Sequence, residues 1–211
     1  MTTVSHLMDD NFLSKLLESH NYLTQRDSAD HPAVNCPIDR WVECATSLRD
    51  ELGFDLLVDA TCIDWYKESP RFSAVYHLLS STTHQYLRIV VAIPDDEHPS
   101  IPSVTSLWAA ADWHEREAYD MFGVNFENHP NMKRILMWDS YPWHPLRKEF
   151  PLAGHDTELP DKEVSEETET PVIPAPMAGG PFVSGDHRGI MSKNEPRGAD
   201  QSWAEENEKP N

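Results

Sequence analysis

The sequence predicts an α+β fold, in which a two-layer domain packs its helices on one face of a mixed β-sheet. Two segments of helical periodicity come first, a block of strand-like segments follows, and one more helical segment comes after that block. Helices grouped around a run of strands, rather than alternating with them, indicate an α+β domain and not a doubly wound sheet. A change of composition near Leu152 separates residues 1–152, the predicted domain, from residues 153–211, a predicted extended tail.

Two helices are predicted before the strands, because apolar residues recur there at helical spacing. The first covers residues 9–21, whose apolar stripe includes Leu13 and Leu16. The second runs from Ile38 to Leu52 and is stopped by Gly53.

Three strand-like segments follow these helices. Phe54 to Thr61 is apolar and partly β-branched, and Phe72 to Leu79 and Tyr86 to Ile93 have the same character. A short polar link, SSTTHQ, separates the last two segments. The spacing therefore predicts an antiparallel hairpin with a longer loop.

A third helix is predicted after a proline-punctuated acidic loop. Ser103 or Thr105 opens it, and it runs to about Phe122, before Gly123. A short strand from Ile135 to Trp138 is predicted beyond it.

The formal net charge of −19 excludes some classes of partner. An acidic surface is repelled by the phosphates of nucleic acid and by anionic lipid, so we expect no nucleic-acid binding and no direct electrostatic docking on membranes. The sequence shows no apolar run of the roughly 20 residues that span a bilayer, and its first residues do not resemble a signal peptide. We therefore expect a cytoplasmic protein whose partners are proteins.

The sequence offers few residues for cofactor or metal chemistry. Cys36, Cys44 and Cys62 are widely spaced, which disfavours an iron–sulfur cluster or zinc ion held by this chain. No glycine-rich phosphate loop occurs, so we expect no NADH binding, and no nucleophile elbow suggests hydrolysis. A metal-dependent hydrolase remains as a remote alternative with four candidate ligands: His114, Glu115, His129 and His144. The first two begin like a zinc-binding helix, but the second His at i+4 is missing.

The tail leaves two interpretations open. Its acidic stretch and the segment PVIPAPMAGGPF cannot bury enough apolar surface to fold alone. It is either a disordered solubilising tail or an arm that becomes ordered on a partner. In the second case its anchors would be Val172, Ile173, Met177, Phe182 and Trp203.

The segment HPLRKEFP predicts a protein contact, because it is a basic island with aromatic neighbours in an acidic chain. Pro145 and Pro151 would hold it extended and lower the entropy lost on docking. The predicted contact residues are Trp143, His144, Arg147, Lys148, Phe150 and Pro151. The alternative interpretation is an ordinary solvated loop.

Two stretches resemble a known family. EREAYDMFGVNFENHPNMKRIL at residues 115–136 and HPLRKEFPL at residues 144–152 are similar to the signature regions of the thirty-kilodalton subunit of respiratory complex I, the C subunit of bacterial NADH-quinone oxidoreductase. Members often have Gly where this chain has Trp143 and Asp where it has Glu149.

The resemblance implies a polar network that sets the helix orientation and the loop beyond Gly123. Its members would be Glu115, Arg116, Glu117, Asp120, His129 and Arg134. Arg116 lies one turn from both Asp112 and Asp120 and can pair with either. The alternative is a set of plain surface ion pairs, each worth under about 1 kcal/mol.

The resemblance also implies a role. The chain would be a cofactor-free assembly subunit of the peripheral arm of a proton-translocating enzyme, on the cytoplasmic side of the inner membrane. Its partners would be the forty-nine-kilodalton D subunit and the iron–sulfur subunits. These partners would, with a flavin-bearing chain, carry the cofactors. An equivalent subunit of a membrane-bound hydrogenase or of a quinone oxidoreductase with another donor is the alternative, and an acidic adaptor unrelated to respiration is a third.

Overall fold

A mixed five-stranded sheet forms the centre of the protein. The computed structural model describes residues 12–151 of a chain that divides into two units, residues 1–147 and 148–211. The strands of the sheet are β1 (Thr24–Arg26), β2 (Ala33–Asn35), β3 (Leu56–Asp64), β4 (Phe72–Leu79) and β5 (Tyr86–Ile93), in the spatial order β1-β2-β5-β4-β3. β2 and β5 are parallel, whereas the other neighbours are antiparallel. The predicted hairpin is confirmed, with Phe72 opposite Ile93 and Leu79 opposite Tyr86.

The helices cover one face of this sheet. They are α1 (residues 12–19), a 3₁₀ turn (Ile38–Arg40) followed directly by α2 (Trp41–Asp50), and α3 (Ala111–Phe122). Alternate strand residues pack with the helices in one apolar core, because successive side chains of a strand point to opposite faces. Trp41 of α2 stacks on Tyr76 of β4 with ring centroids 4.2 Å apart. The predicted two-layer α+β fold is therefore confirmed.

The third helix begins later than predicted. It starts at Ala111 rather than at Ser103 or Thr105. The chain before it forms β6 (Ser100–Pro102), which pairs in parallel with β7 (Asn125–Glu127). Ser103 continues this pairing by donating its backbone N–H to the Glu127 carbonyl at 2.9 Å, so its backbone is not helical.

Other boundaries differ by a few residues. The first helix ends at residue 19 instead of 21, and the second ends at Asp50, with Gly53 at φ +73° in the link to β3. β3 covers Leu56–Asp64 rather than Phe54–Thr61. The predicted strand from Ile135 to Trp138 is wrong, because its backbone amides bind a side chain of α3 instead of a neighbouring strand.

Predictions for the start of the first helix, the tail and its anchors fall outside residues 12–151. The domain boundary at Leu152 remains a prediction. Within residues 12–151, every helix is too short or too polar to cross a lipid bilayer.

Candidate functional site

Asp120, near the end of α3, is the centre of the region that the sequence marks as distinctive. Its side chain is fully buried, and its Oδ2 accepts backbone N–H bonds from Ile135, Leu136 and Met137 at 3.0, 2.7 and 2.8 Å. Its Oδ1 pairs with Nη1 of Arg134. Burial acts to raise the pKa of Asp120, but these hydrogen bonds hold the pKa below its ordinary value. One carboxylate therefore fixes the path of the chain 15 to 17 residues further on.

The end of α3 is capped by the segment that contains HPLRK. The last carbonyl groups of a helix have no partners within the helix. Here the Asp120 carbonyl accepts from Nδ1 of His144 at 2.9 Å, that of Met121 from the Leu146 amide at 3.0 Å, and that of Phe122 from Nε of Arg147 at 2.6 Å. Burial, with the nearby Arg147 and Arg134 charges, lowers the pKa of His144. The imidazole is therefore neutral near pH 7 and donates through Nδ1.

Gly123 lets this cap approach the helix. Its φ is +74°, and its amide donates to the Tyr119 carbonyl as the helix ends. A Cβ at this position would lie 2.6 Å from Nη2 of Arg147 and 2.6 Å from the imidazole of His144. Glycine is required here both for the left-handed backbone and for the space that the capping side chains occupy.

Glu115 joins the start of α3 to the preceding loop. Its side chain is fully buried, and its two oxygens accept from Oγ of Ser103 at 2.6 Å and from the Val104 amide at 2.8 Å. Burial raises the pKa of Glu115 to about 7. The carboxyl group thus fixes the loop that precedes α3.

Arg116 does not pair with Asp112 or Asp120, so that prediction is wrong. Its guanidinium donates to the Lys133 and Arg134 carbonyls at 3.2 and 3.3 Å. The reason is that Asp120 is occupied by Arg134 and by the backbone of the same loop.

His129 contributes a further tie to α3. Its imidazole is fully buried, with Nε2 at 3.2 Å from both the carbonyl oxygen and Oδ1 of Asp112. Nδ1 accepts the Asn131 amide at 3.0 Å, which places the ring proton on Nε2.

The structure thus brings most of the predicted network together around α3. Glu115, Arg116, Asp120, His129 and Arg134 each bind the chain's own backbone near one end of that helix or along it. Glu117 is the exception, since its side chain is exposed, whereas Glu115, Arg116 and Asp120 of the same helix are buried.

The predicted contact residues fall into two groups. His144 and Arg147 are half-buried caps of α3, and the Trp143 carbonyl accepts Nη2 of Arg134 at 3.1 Å. Lys148, Phe150 and Pro151 belong to the second unit, in which Lys148 is exposed and the other two are half-buried. A role of these residues in binding a partner stays a prediction.

The side chains proposed for a hydrolase have separate partners. His114 pairs with Asp59 at 3.3 Å, and the other three candidates make the contacts described above. Between residues 12 and 151, the structure assembles no group of three His, Cys, Asp or Glu side chains suited to a metal ion. The hydrolase alternative therefore has no site among the candidates that it named.

Two exposed leucines in this region were missed by sequence reasoning. Leu136 is 60% exposed and Leu146 is 52% exposed, although the backbone of both is bound to α3. Isolated leucines in a loop carry no periodic signal, so only their place within the two signature stretches could have drawn attention to them.

Comparison with known proteins gives consistent matches. A family model described as "Respiratory-chain NADH dehydrogenase, 30 Kd subunit" matches residues 34–156. The C subunit of NADH-quinone oxidoreductase from Citrifermentans bemidjiense is 48% identical over 117 residues, 56% of this chain and 72% of the relative. The C subunit from Moorella thermoacetica is 43% identical over 143 residues, 68% of this chain and 95% of the relative.

A longer relative carries two subunit names. The protein from a Sulfurihydrogenibium species is called the C/D subunit of NADH-quinone oxidoreductase, and it is 43% identical over 150 residues. The match covers 69% of this chain but only 26% of that relative.

Two solved structures share the fold. One is described as Nqo5 of the trypsin-resistant fragment (1-134), with 30% identity and a TM-score of 0.51 over 58% of this chain and 97% of the fragment. The other belongs to a membrane-bound sulfane sulfur reductase, an archaeal respiratory membrane complex, with a TM-score of 0.59 over 76% of this chain and 91% of that chain. At 24% identity the second shows the fold alone.

Proposed function

The chain belongs to the respiratory-chain NADH dehydrogenase 30 Kd subunit family, and from this premise we propose that it is a cofactor-free assembly subunit of NADH-quinone oxidoreductase. In this proposal it lies in the peripheral arm of the proton-translocating complex, on the cytoplasmic side of the membrane. It holds the quinone-reducing module together and does not itself react with NADH or quinone.

The observation that carries the proposal is how the signature side chains are used. Glu115, Asp120, Arg134 and His144 have the chemistry of acids, bases and ligands, yet each binds the chain's own backbone. Side chains that fix backbone in this way produce a rigid surface rather than a reaction centre. Electron transfer needs cofactors held at fixed positions, and a rigid neighbour supplies that support.

One relative supports the proposed partner D. The relative whose name joins C and D in one chain supports direct contact between this chain and a separate D subunit. The flavin and the iron–sulfur clusters are assigned to neighbouring chains, including the iron–sulfur subunits of the arm. Contact with the membrane is then indirect, through the complex.

A second candidate is the equivalent subunit of a membrane complex with another electron donor. This candidate is supported by the fold that the chain shares with a chain of the sulfane sulfur reductase. The same fold can occur in complexes that catalyse different reactions. Partner identity separates the two, since only the first candidate requires an NADH-oxidising flavoprotein beside this chain.

The test is purification of the tagged full-length chain from membranes in mild detergent, followed by identification of the bound proteins. We expect a flavin-bearing NADH-oxidising subunit, a D subunit and iron–sulfur subunits. A nickel–iron hydrogenase subunit in their place would support the second candidate. Recovery without any of these chains, or a tightly held prosthetic group on the chain itself, would contradict the assembly role.

Deletion of the chain gives an independent readout. Membranes lacking it should lose NADH-quinone activity, while the flavoprotein should still reduce an acceptor that takes electrons directly from the flavin. Loss of both activities together would contradict a role confined to the quinone-reducing module.

A further inference from the structure

Leu136 and Leu146 are exposed apolar side chains on backbone that is hydrogen-bonded to the end of α3. Their exposed fractions are 60% and 52%. The Leu136 amide binds Oδ2 of Asp120, and the Leu146 amide binds the carbonyl oxygen of Met121, the next residue of α3. Both leucines are therefore attached to neighbouring positions at the carboxyl end of one helix. We call this surface the α3-end surface.

The backbone of the α3-end surface is held in place by contacts within the chain. Leucine side chains exposed singly are common on protein surfaces and need no explanation. Here, however, a fully buried carboxylate, a left-handed glycine and two half-buried cations fix the backbone that presents them. Because the backbone is already ordered, docking on these leucines loses little conformational entropy. A preorganised binding surface has this property.

The fused relative indicates which partner occupies the surface. There, one chain carries the names C and D in that order, and the region similar to this chain is only 26% of it. The order of the two names indicates that the D part follows the C-like region in that chain. In this protein the first unit ends at Arg147, directly after Leu146. A part joined to the C-like region in one chain lies next to it, so the D subunit is the occupant that the relatives support.

We propose that the α3-end surface, with Leu136 and Leu146 as its apolar anchors, is the contact through which this chain binds the D subunit. The inference rests on the proposed function and adds the location of the contact. It also assigns a shared role to the signature residues Asp120, Arg134 and Arg147, because they fix the loops that present the two leucines.

Site-specific photo-crosslinking in the assembled complex tests this location without disturbing the fold. A photoreactive phenylalanine analogue would replace Leu136 or Leu146 in the tagged full-length chain, and Val42 or Val58 in the controls. The control side chains are 44% and 46% exposed and lie on α2 and β3. We expect adducts with the D subunit from both leucine positions and fewer or none from the valines.

Binding of the D subunit to variants gives the second measurement. Leu136→Asp with Leu146→Asp should weaken binding about tenfold or more, since two apolar contacts are lost and two charges are buried. Val42→Asp with Val58→Asp adds the same charge elsewhere, and Val58 lies at the irregularity of β3, where it pairs with no strand residue. The control pair should bind as the wild type does, with thermal unfolding confirming that each variant is folded.

The outcomes separate the location from the function. If the wild-type chain binds the D subunit but the leucine positions crosslink to another chain, or the leucine variant binds normally, the proposed surface is wrong and the assembly role stands. If the wild-type chain captures no subunit of the oxidoreductase, both proposals fail. Should the leucine variant unfold, the crosslinking result alone decides.

Discussion

Nε of Arg147 donates a hydrogen bond of 2.6 Å to the carbonyl oxygen of Phe122, the last residue of α3. The same guanidinium lies over the ring of Phe72 on β4, with its central carbon 5.1 Å from the ring centroid. Arg147 therefore ties the segment after Trp143 to both a helix and the sheet. The sequence composition predicted that Arg147 contacts a partner, but in the structure Arg147 makes contacts within its own unit.

We expect Arg147→Glu to lower the free energy of unfolding by about 2 kcal/mol, because a hydrogen bond from a charged donor is lost and an anion replaces a cation at a helix carboxyl end. Lys133→Glu is the control, since it reverses an exposed charge in the neighbouring loop. Urea unfolding of the full chain measures both. If Arg147→Glu leaves unfolding unchanged but lowers the yield of assembled complex on a native gel, the partner contact predicted from composition is the main role.

Gly123→Ala should destabilise the protein more than Gly53→Ala. Both glycines have φ near +74°, so both substitutions carry the left-handed penalty of roughly 1–2 kcal/mol. Only at Gly123 would the added Cβ lie 2.6 Å from His144 and Arg147, whereas at Gly53 the nearest atom is Oγ of Ser80 at 3.8 Å. The difference should be about 1–3 kcal/mol, the range for overpacking. Equal melting temperatures for the two variants would show that the cap moves aside freely.

Sequence reasoning predicted the long elements well. The β4–β5 hairpin and α2 have enough residues for apolar periodicity to show, and the helix end at Phe122 was marked by Gly123. β1, β2, β6 and β7 have three residues each, too few for an alternating pattern. The start of α3 was missed because β6 and the loop after it depend on pairing with β7, which comes later in the chain.

The sequence predicted most of the residues that make up the candidate site but not the hydrogen bonds that they form. Arg116 was expected to pair with acids one helical turn away, because local spacing is all that a sequence displays. Asp120 instead binds Arg134 and the three backbone amides that follow it. Residue propensities describe local structure, so they do not predict that a carboxylate will bind backbone amides 15 to 17 residues away. The same contact converts the predicted Ile135–Trp138 strand into a loop.

Asp120→Asn should cost about 3 kcal/mol or more at neutral pH, because the Arg134 side chain, which is only 9% exposed, loses its counter-charge. Asp139→Asn, at an exposed position in the same loop, is the control. Chemical unfolding at neutral pH measures the loss. Unfolding free energies that fall equally in the two variants would contradict the assigned ion pair.

The pH dependence of stability provides a separate check on Asp120. Its pKa is lowered in the folded protein, so its contribution is present above the unfolded pKa of about 4 and is lost as the pH falls through the folded value. Wild-type protein should therefore lose more stability than Asp120→Asn on acidification below about pH 4. Parallel acid-unfolding curves for the two proteins would count against a lowered pKa.

Glu115→Gln should change stability in the opposite pH direction. Burial raises the pKa of Glu115 to about 7, so the folded protein favours the protonated form. The contribution of that proton is fully present below the unfolded pKa of about 4.3 and is lost as the pH rises through about 7. Glutamine keeps a neutral side chain that accepts the Val104 amide, so the variant should gain on the order of 2 kcal/mol relative to wild type between pH 5 and pH 8. Glu117→Gln, on the exposed side of the same helix, should show no such gain. A constant difference between Glu115→Gln and wild type across this range would mean that Glu115 is already ionised in the folded protein at pH 5.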